Sequence, residues 1–188
     1  MGARPLPAGP LSLGIAHHFG WAVAVTAAAD HSVVDRRRIE LAEPGLPAAP
    51  IHTHEHAPLD DATLERIVEE VRASARRTAA AELDALPAGI RAICLRAWPT
   101  DFPADIATQR RAPHEARADS VMYRQVLAEL ANARGWAVHV FDAATVEAEA
   151  ARRLGDRAEA VLQGPRATLG PPWGRDQRLA LAATVIAS

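Results

Sequence analysis

Lysine is absent from this 188-residue chain; all 21 basic residues are arginine. Without an ε-amino group there is no Schiff-base chemistry and no Walker-type phosphate lysine. Uniform replacement of lysine by arginine is what a GC-rich genome produces. A single cysteine, Cys94, makes an intramolecular disulfide impossible and points to a reducing, cytoplasmic compartment. Because Cys94 sits inside the apolar run Ile90–Leu95, it reads as a buried, inert thiol and not a nucleophile. No apolar stretch approaches the roughly 20 residues of a membrane span. The opening Met-Gly-Ala-Arg-Pro-Leu-Pro-Ala-Gly-Pro is too proline-rich for a secretory signal. No Gly-x-Gly-x-x-Gly dinucleotide loop and no Gly-x-Ser-x-Gly elbow occurs. The net charge of −2 and pI near 6.4 give no global drive toward nucleic acid or anionic membranes, which leaves only local basic patches.

What is present fits one globular domain: 49% hydrophobic and 23% charged residues, at a length that supports a sizeable core. Residues 1–10 read as a mobile tail and 11–188 as the domain. Leu11–Thr26 is an apolar run that carries the adjacent His17 and His18 and reads as the first strand, with alternation over Trp21–Thr26. Ser32–Leu41 alternates again after an Ala-Ala-Asp-His turn, a hairpin pattern. A short strand is expected near Ala49–His54, confined to an edge by Pro50. From Leu59 the period becomes helical, with Leu64, Ile67, Val68, Val71, Ala75, Ala79 and Leu83 on one side and Asp60 or Asp61 as cap. Ile90–Ala97 predicts a buried strand, Trp98–Gln109 a loop, and Pro113–Arg134 a helix stopped by Gly135. Trp136–Asp142 predicts a strand and Ala143–Leu154 a helix. An alanine-rich helix over Arg175–Ala187 closes the chain. The four tryptophans fall beside strands or loop ends, where packing is the default.

Three strands, then helix, strand, helix, strand, helix requires a mixed α/β sheet, an antiparallel trio followed by β-α-β-α units, with helices on both faces. This order resembles the ribonuclease H-like superfamily over residues 11–187. Gly14-Ile-Ala-His-His-Phe-Gly-Trp-Ala-Val-Ala-Val25 is similar to the opening of its resolvase-type members. Gly170-Pro-Pro-Trp-Gly-Arg-Asp-Gln-Arg-Leu-Ala-Leu-Ala-Ala183 is similar to their last helix, which carries an aspartate. The Gly-Pro-Pro-Trp ending and the Ala-Asp-x-x-Met-Tyr-Arg run at 118–124 also resemble a family of uncharacterised bacterial proteins, which implies no activity.

The first resemblance implies two-metal phosphodiester hydrolysis, in which carboxylates from the first strand, the fourth-strand region and the last helix hold two Mg2+ or Mn2+ ions. Here the first-strand position is Ala16, which cannot ligate. Asp101 is then the second acid and Asp176 the last, with Glu70 a distant alternative. Asp176 equally suits the first turn of a helix, where the macrodipole favours an acid. His17 and His18 flank the missing aspartate, and strand alternation sends them to opposite faces. Either could replace a carboxylate for a softer metal.

His52, His54 and His56 form a second cluster. In an extended segment the three imidazoles share one side, a zinc or copper set, although a single strand spaces them 6–7 Å apart. Arg36 and Arg38 on the second hairpin strand, and Arg110 and Arg111 after the Trp98 loop, could contact phosphates; edge-strand charge is the plainer role for the first pair. Arg117, Asp119, Tyr123 and Arg124 form a polar group on one helix.

Three functions follow as expectations. The first is a ribonuclease H-like domain with an incomplete acidic centre, acting as a binding or scaffold module toward nucleic acid or a protein partner and not toward a membrane. The second is a divergent metal-dependent nuclease using Asp101, Asp176 and His17 or His18. The third is a transition-metal-binding protein using His52, His54 and His56.

Overall fold

The computed structural model describes residues 9–54 and 59–187. Most of the expected tail, together with Glu55 and His56, lies outside the described residues. The strands are β1 (Leu11–His17), β2 (Trp21–Ala27) and β3 (Val33–Glu40). A short helix α1 (Pro50–His54) and the long α2 (Asp61–Asp84) precede β4 (Ile90–Arg96). Then come α3 (Ile106–Gln109), α4 (Glu115–Ala133), β5 (Ala137–Phe141) and α5 (Val146–Leu154). A single 3-10 turn leads to α6 (Ala158–Leu162), α7 (Pro165–Leu169) and α8 (Arg175–Ala187). Among the described residues no helix is long and apolar enough to cross a membrane.

The sheet has the order β3-β2-β1-β4-β5. β1 pairs antiparallel with β2, which pairs antiparallel with β3. On its other side β1 pairs parallel with β4, and β4 with β5. This is the expected mixed sheet, an antiparallel trio followed by parallel strands, but the trio is made differently: the run Leu11–Thr26 is two strands broken after His17, and the segment near Ala49–His54 is not among them. Alternation along β1 builds two cores. Leu11, Leu13 and Ile15 pack with Leu64, Val71, Met122 and Leu127 of α2 and α4. Ala16 packs with Val23, Val25, Cys94, Leu179 and Ala183 on the face covered by α5, α6 and α8. Helices therefore cover both faces, and the central strand reads as nearly continuous apolar sequence because neither side meets water.

Helix α2 follows its pattern: Asp60 caps it by accepting from the Thr63 N–H at 2.7 Å, and Leu64, Val68, Val71, Ala75, Ala79 and Leu83 are buried. Gly135, at φ +69°, turns the chain out of α4 in the left-handed region. Cys94 is buried in β4, and burial pushes its thiol up to about 12, so it is not a nucleophile.

The expected third strand near Ala49–His54 is instead α1. Pro50 has the fixed φ that suits a first helical position. The carboxylate of Asp119, buried on α4, accepts from the N–H groups of Ile51 at 3.1 Å and His52 at 2.9 Å. A residue far along the chain thus caps this helix, which the local pattern could not reveal. Burial raises the Asp119 carboxyl despite these two donors. Tyr123 holds the same segment through its hydroxyl, which donates to the Ala48 carbonyl at 2.8 Å.

Candidate functional site

The carboxyl ends of β1 and β4 open onto a cleft of about 230 Å3, the usual place for a ligand in an open α/β sheet. Ala16, His17, His18, Arg96, Arg175 and Asp176 line it. A neighbouring cleft of about 220 Å3 shares His17, His18 and Arg96 and adds Phe19 and Ser120.

Asp176 reaches this place because α8 lies almost in contact with β1. A Cβ built on Gly14 would sit 1.8 Å from the Ala180 carbonyl oxygen. Ala180, Ala182 and Ala183 are fully buried small residues that allow the approach. The start of α8 is fixed from the opposite edge of the sheet. The Arg36 guanidinium donates to the carbonyls of Leu169 at 2.7 Å, Gly170 at 2.9 Å, Pro171 at 3.2 Å and also Pro172. Trp173, buried, donates from Nε1 to the Leu162 carbonyl at 2.8 Å. The Gly-Pro-Pro-Trp segment is therefore an anchor read by an arginine fork. Arg36→Ala is expected to lower stability by about 2 kcal/mol, measurable by urea unfolding. Arg36→Lys should rescue little of it, because an ammonium cannot span several carbonyls at once.

His18 Nε2 donates to Asp176 Oδ2 at 2.9 Å, with both side chains more than a third exposed. The imidazole stacks on Trp21, 4.1 Å between centroids and 10° from parallel. The guanidinium of Arg38 covers the Trp21 ring at 4.1 Å and pairs with Glu40 at 2.8 Å. Aspartate, imidazole, indole and guanidinium thus form one row on the α8 face of the sheet.

His17 points to the opposite face, as alternation requires. Its neighbours are Arg124, Arg96, His18 and the Ser120 backbone. Burial, aided by those cations, lowers its pKa to about 3, so it is neutral at physiological pH. Arg124 is buried and donates to the carbonyls of Ser120 at 2.8 Å and Ala97 at 2.5 Å, tying α4 to the end of β4 beside Arg96. Burial lowers it to about 10, still charged at neutral pH. Asp119, Tyr123 and Arg124 of the 118–124 run are therefore organisers of the surrounding chain.

The other expected residues are placed apart. Asp101 is exposed in the turn after β4 and lines neither cleft; Glu70 is exposed on α2. Arg110 donates to the Leu59 carbonyl at 2.7 Å and to Asp61 at 2.9 Å, and Arg111 is exposed nearby. Arg36, expected among the phosphate contacts, is committed to the α8 anchor. His52 and His54 stand two positions apart on a helix, about 200° around its axis, so they do not share a face as an extended segment would allow. His54 Nδ1 donates to the Pro50 carbonyl at 2.7 Å, and His52 stacks with Phe19 at 6.2 Å.

Two-metal chemistry needs converging carboxylates, and the residues here do not fit it. β1 offers the cleft Ala16, which cannot ligate, Asp176 is bonded to His18, and no group of three His, Cys, Asp or Glu side chains among the described residues is placed to hold an ion. What surrounds the cleft is cationic. Among the described residues neither Arg96 nor Arg175 is in a carboxylate ion pair, whereas Arg178, one turn further along α8, pairs with Glu147 at 3.2 Å. Arg175 also opens α8, where the helix dipole is already positive.

No family model matches the sequence, and no curated protein matches it. Among solved structures the chain is similar to T. thermophilus RuvC in complex with a Holliday junction substrate. Identity is 13% and the TM-score 0.49, over 94% of this chain and 90% of that one.

Arg96 and Arg175 are the site residues that sequence reasoning missed. Arg96 ends an apolar strand at its carboxyl edge, and Arg175 precedes Asp176. Those positions were the available signal. A larger cleft of about 530 Å3, lined by residues including His31, Arg157, Thr168 and Leu169, lies beside the β2–β3 turn and brings together none of the expected site residues.

Proposed function

We propose that this ribonuclease H-like domain is a binding module whose cleft takes the phosphate groups of nucleic acid without a bridging metal. The observation that carries the reading is the exchange of chemistry at the end of β1. Ala16 brings only a methyl group where the resemblance implies a bridging acid, and Arg96 and Arg175 line the same cleft, neither of them in a carboxylate ion pair among the described residues. The one acid present, Asp176, is engaged by His18. Such a cleft attracts anions and offers two hard cations no set of hard oxygen ligands.

Fluorescence anisotropy with labelled single-stranded and duplex oligonucleotides, in EDTA and in Mg2+, tests this. Binding is expected in EDTA, with no cleavage in either buffer. Arg96→Ala with Arg175→Ala should weaken it at least about tenfold. The slope of log K against log salt should fall by about 1.8 for the duplex and about 1.4 for the single strand, the share of two lost phosphate contacts. Binding that requires Mg2+, or cleavage abolished by Asp176→Ala, would replace this reading with a metal-dependent nuclease.

A further inference from the structure

Phosphate binding alone does not account for the way His18 is held. Its Nε2 donates to Asp176 Oδ2 at 2.9 Å, and a carboxylate can only accept, so Nε2 carries a hydrogen and the neutral ring has its lone pair on Nδ1. The stack on Trp21 fixes the plane of the ring, and the side chain remains 42% exposed at the cleft. Ala16, on the same face two residues earlier, fills little of the space beside it. Arg96 and Arg175 line that same space.

A nucleophile oriented by an acid beside anion-binding cations is the arrangement of covalent phosphoryl transfer. The other nucleophilic side chains nearby are engaged or lack an orienting acid. Ser120 Oγ donates to the Arg117 carbonyl at 3.1 Å and accepts from Arg124 at 3.0 Å. His17 borders the cleft from the α4 side of β1, beside Arg124, Arg96 and the Ser120 backbone, and lacks a carboxylate partner to orient its ring among the described residues. The chemistry falls to His18.

We propose that His18 is a phosphoryl-accepting nucleophile, taking the group on Nδ1 from a small phosphorylated donor with a good leaving group, such as a phosphoramidate or an acyl phosphate. The proposal rests on the reading of the cleft as a metal-free phosphate site. The Nδ1 lone pair attacks phosphorus and an N–P bond forms. With phosphoramidate the donor's P–N bond breaks, and ammonia leaves with the electron pair. No redox change occurs. The hydrogen on Nε2 stays on the ring, and the Asp176 carboxylate offsets the positive charge the ring acquires. Arg96 and Arg175 hold the phosphoryl oxygens.

The test is incubation of the full chain with potassium phosphoramidate in EDTA, read by intact mass and by peptide mapping under alkaline conditions that preserve phosphohistidine. His139, exposed on β5, is the internal control for ordinary surface reactivity. One phosphoryl group is expected per chain, on His18, at a rate at least about tenfold above that at His139. His18→Gln should abolish it, and Asp176→Asn should slow it about tenfold or more while the melting temperature stays near that of the wild type. Equal labelling of His18 and His139, or an unchanged rate in Asp176→Asn, overturns the proposal. Failure of labelling with oligonucleotide binding intact removes the nucleophile and leaves the anion site. Failure of both removes the reading beneath it.

Discussion

Gly14→Ala is expected to abolish stable folding. The added Cβ would lie 1.8 Å from the Ala180 carbonyl oxygen, which belongs to helix backbone and cannot rotate away. Relief requires α8 to lift off β1, which uncovers Ala180, Leu181, Ala182 and Ala183, all fully buried. A domain of this size has only about 5–15 kcal/mol of stability in total. Overpacking against helix backbone, with part of one core lost, is expected to cost more than about 4 kcal/mol. Far-UV circular dichroism during heating gives the answer. A variant melting within a few degrees of wild type would mean that α8 does not rest on β1 as described. The same contact positions Asp176, so partial rescue by temperature or osmolyte should restore folding and the His18–Asp176 pair together.

Acidification from pH 7 to 4.5 is expected to cost the fold about 2.5 kcal/mol through His17 alone. Burial, with the cationic Arg124 and Arg96 as neighbours, lowers this imidazole from 6.5 to about 3. The unfolded chain therefore takes up a proton near pH 6.5 that the folded chain refuses until about pH 3. The stabilisation is complete above the unfolded value and declines as pH falls through that window. His17→Asn, which keeps an N–H donor and does not titrate, should flatten the dependence of unfolding free energy on pH. A residual slope is expected from His31, which burial shifts in the same direction. Denaturant titrations at pH 7 and 4.5 measure both proteins. Identical pH slopes for the two would show that His17 is not buried as a neutral imidazole.

Much of the architecture was legible because apolar periodicity reports burial directly. The six-residue inward stripe of α2, the limits of α8 and the strand character of β1 follow from side-chain spacing, which the backbone geometry of each element enforces. The opposite directions of His17 and His18 were legible for the same reason. The short segment at Ala49–His54 was misread, because its conformation is decided by Asp119 on a different helix. Arg36 and Arg38 show the same limit. Identical residues two positions apart have unrelated partners, four carbonyls at and just after the end of α7 in one case and an indole with a glutamate in the other.

By itself the sequence determined the mixed α/β order, the two buried faces and the inert cysteine, since each depends on local period or on residue identity alone. Only the tertiary structure decided which charges meet. It placed Asp176 against His18 through the Gly14–Ala180 approach, committed Arg36 to the α8 anchor, and left Arg96 and Arg175 facing one cleft. Those pairings depend on distances between residues far apart in the chain, which spacing along the sequence does not encode.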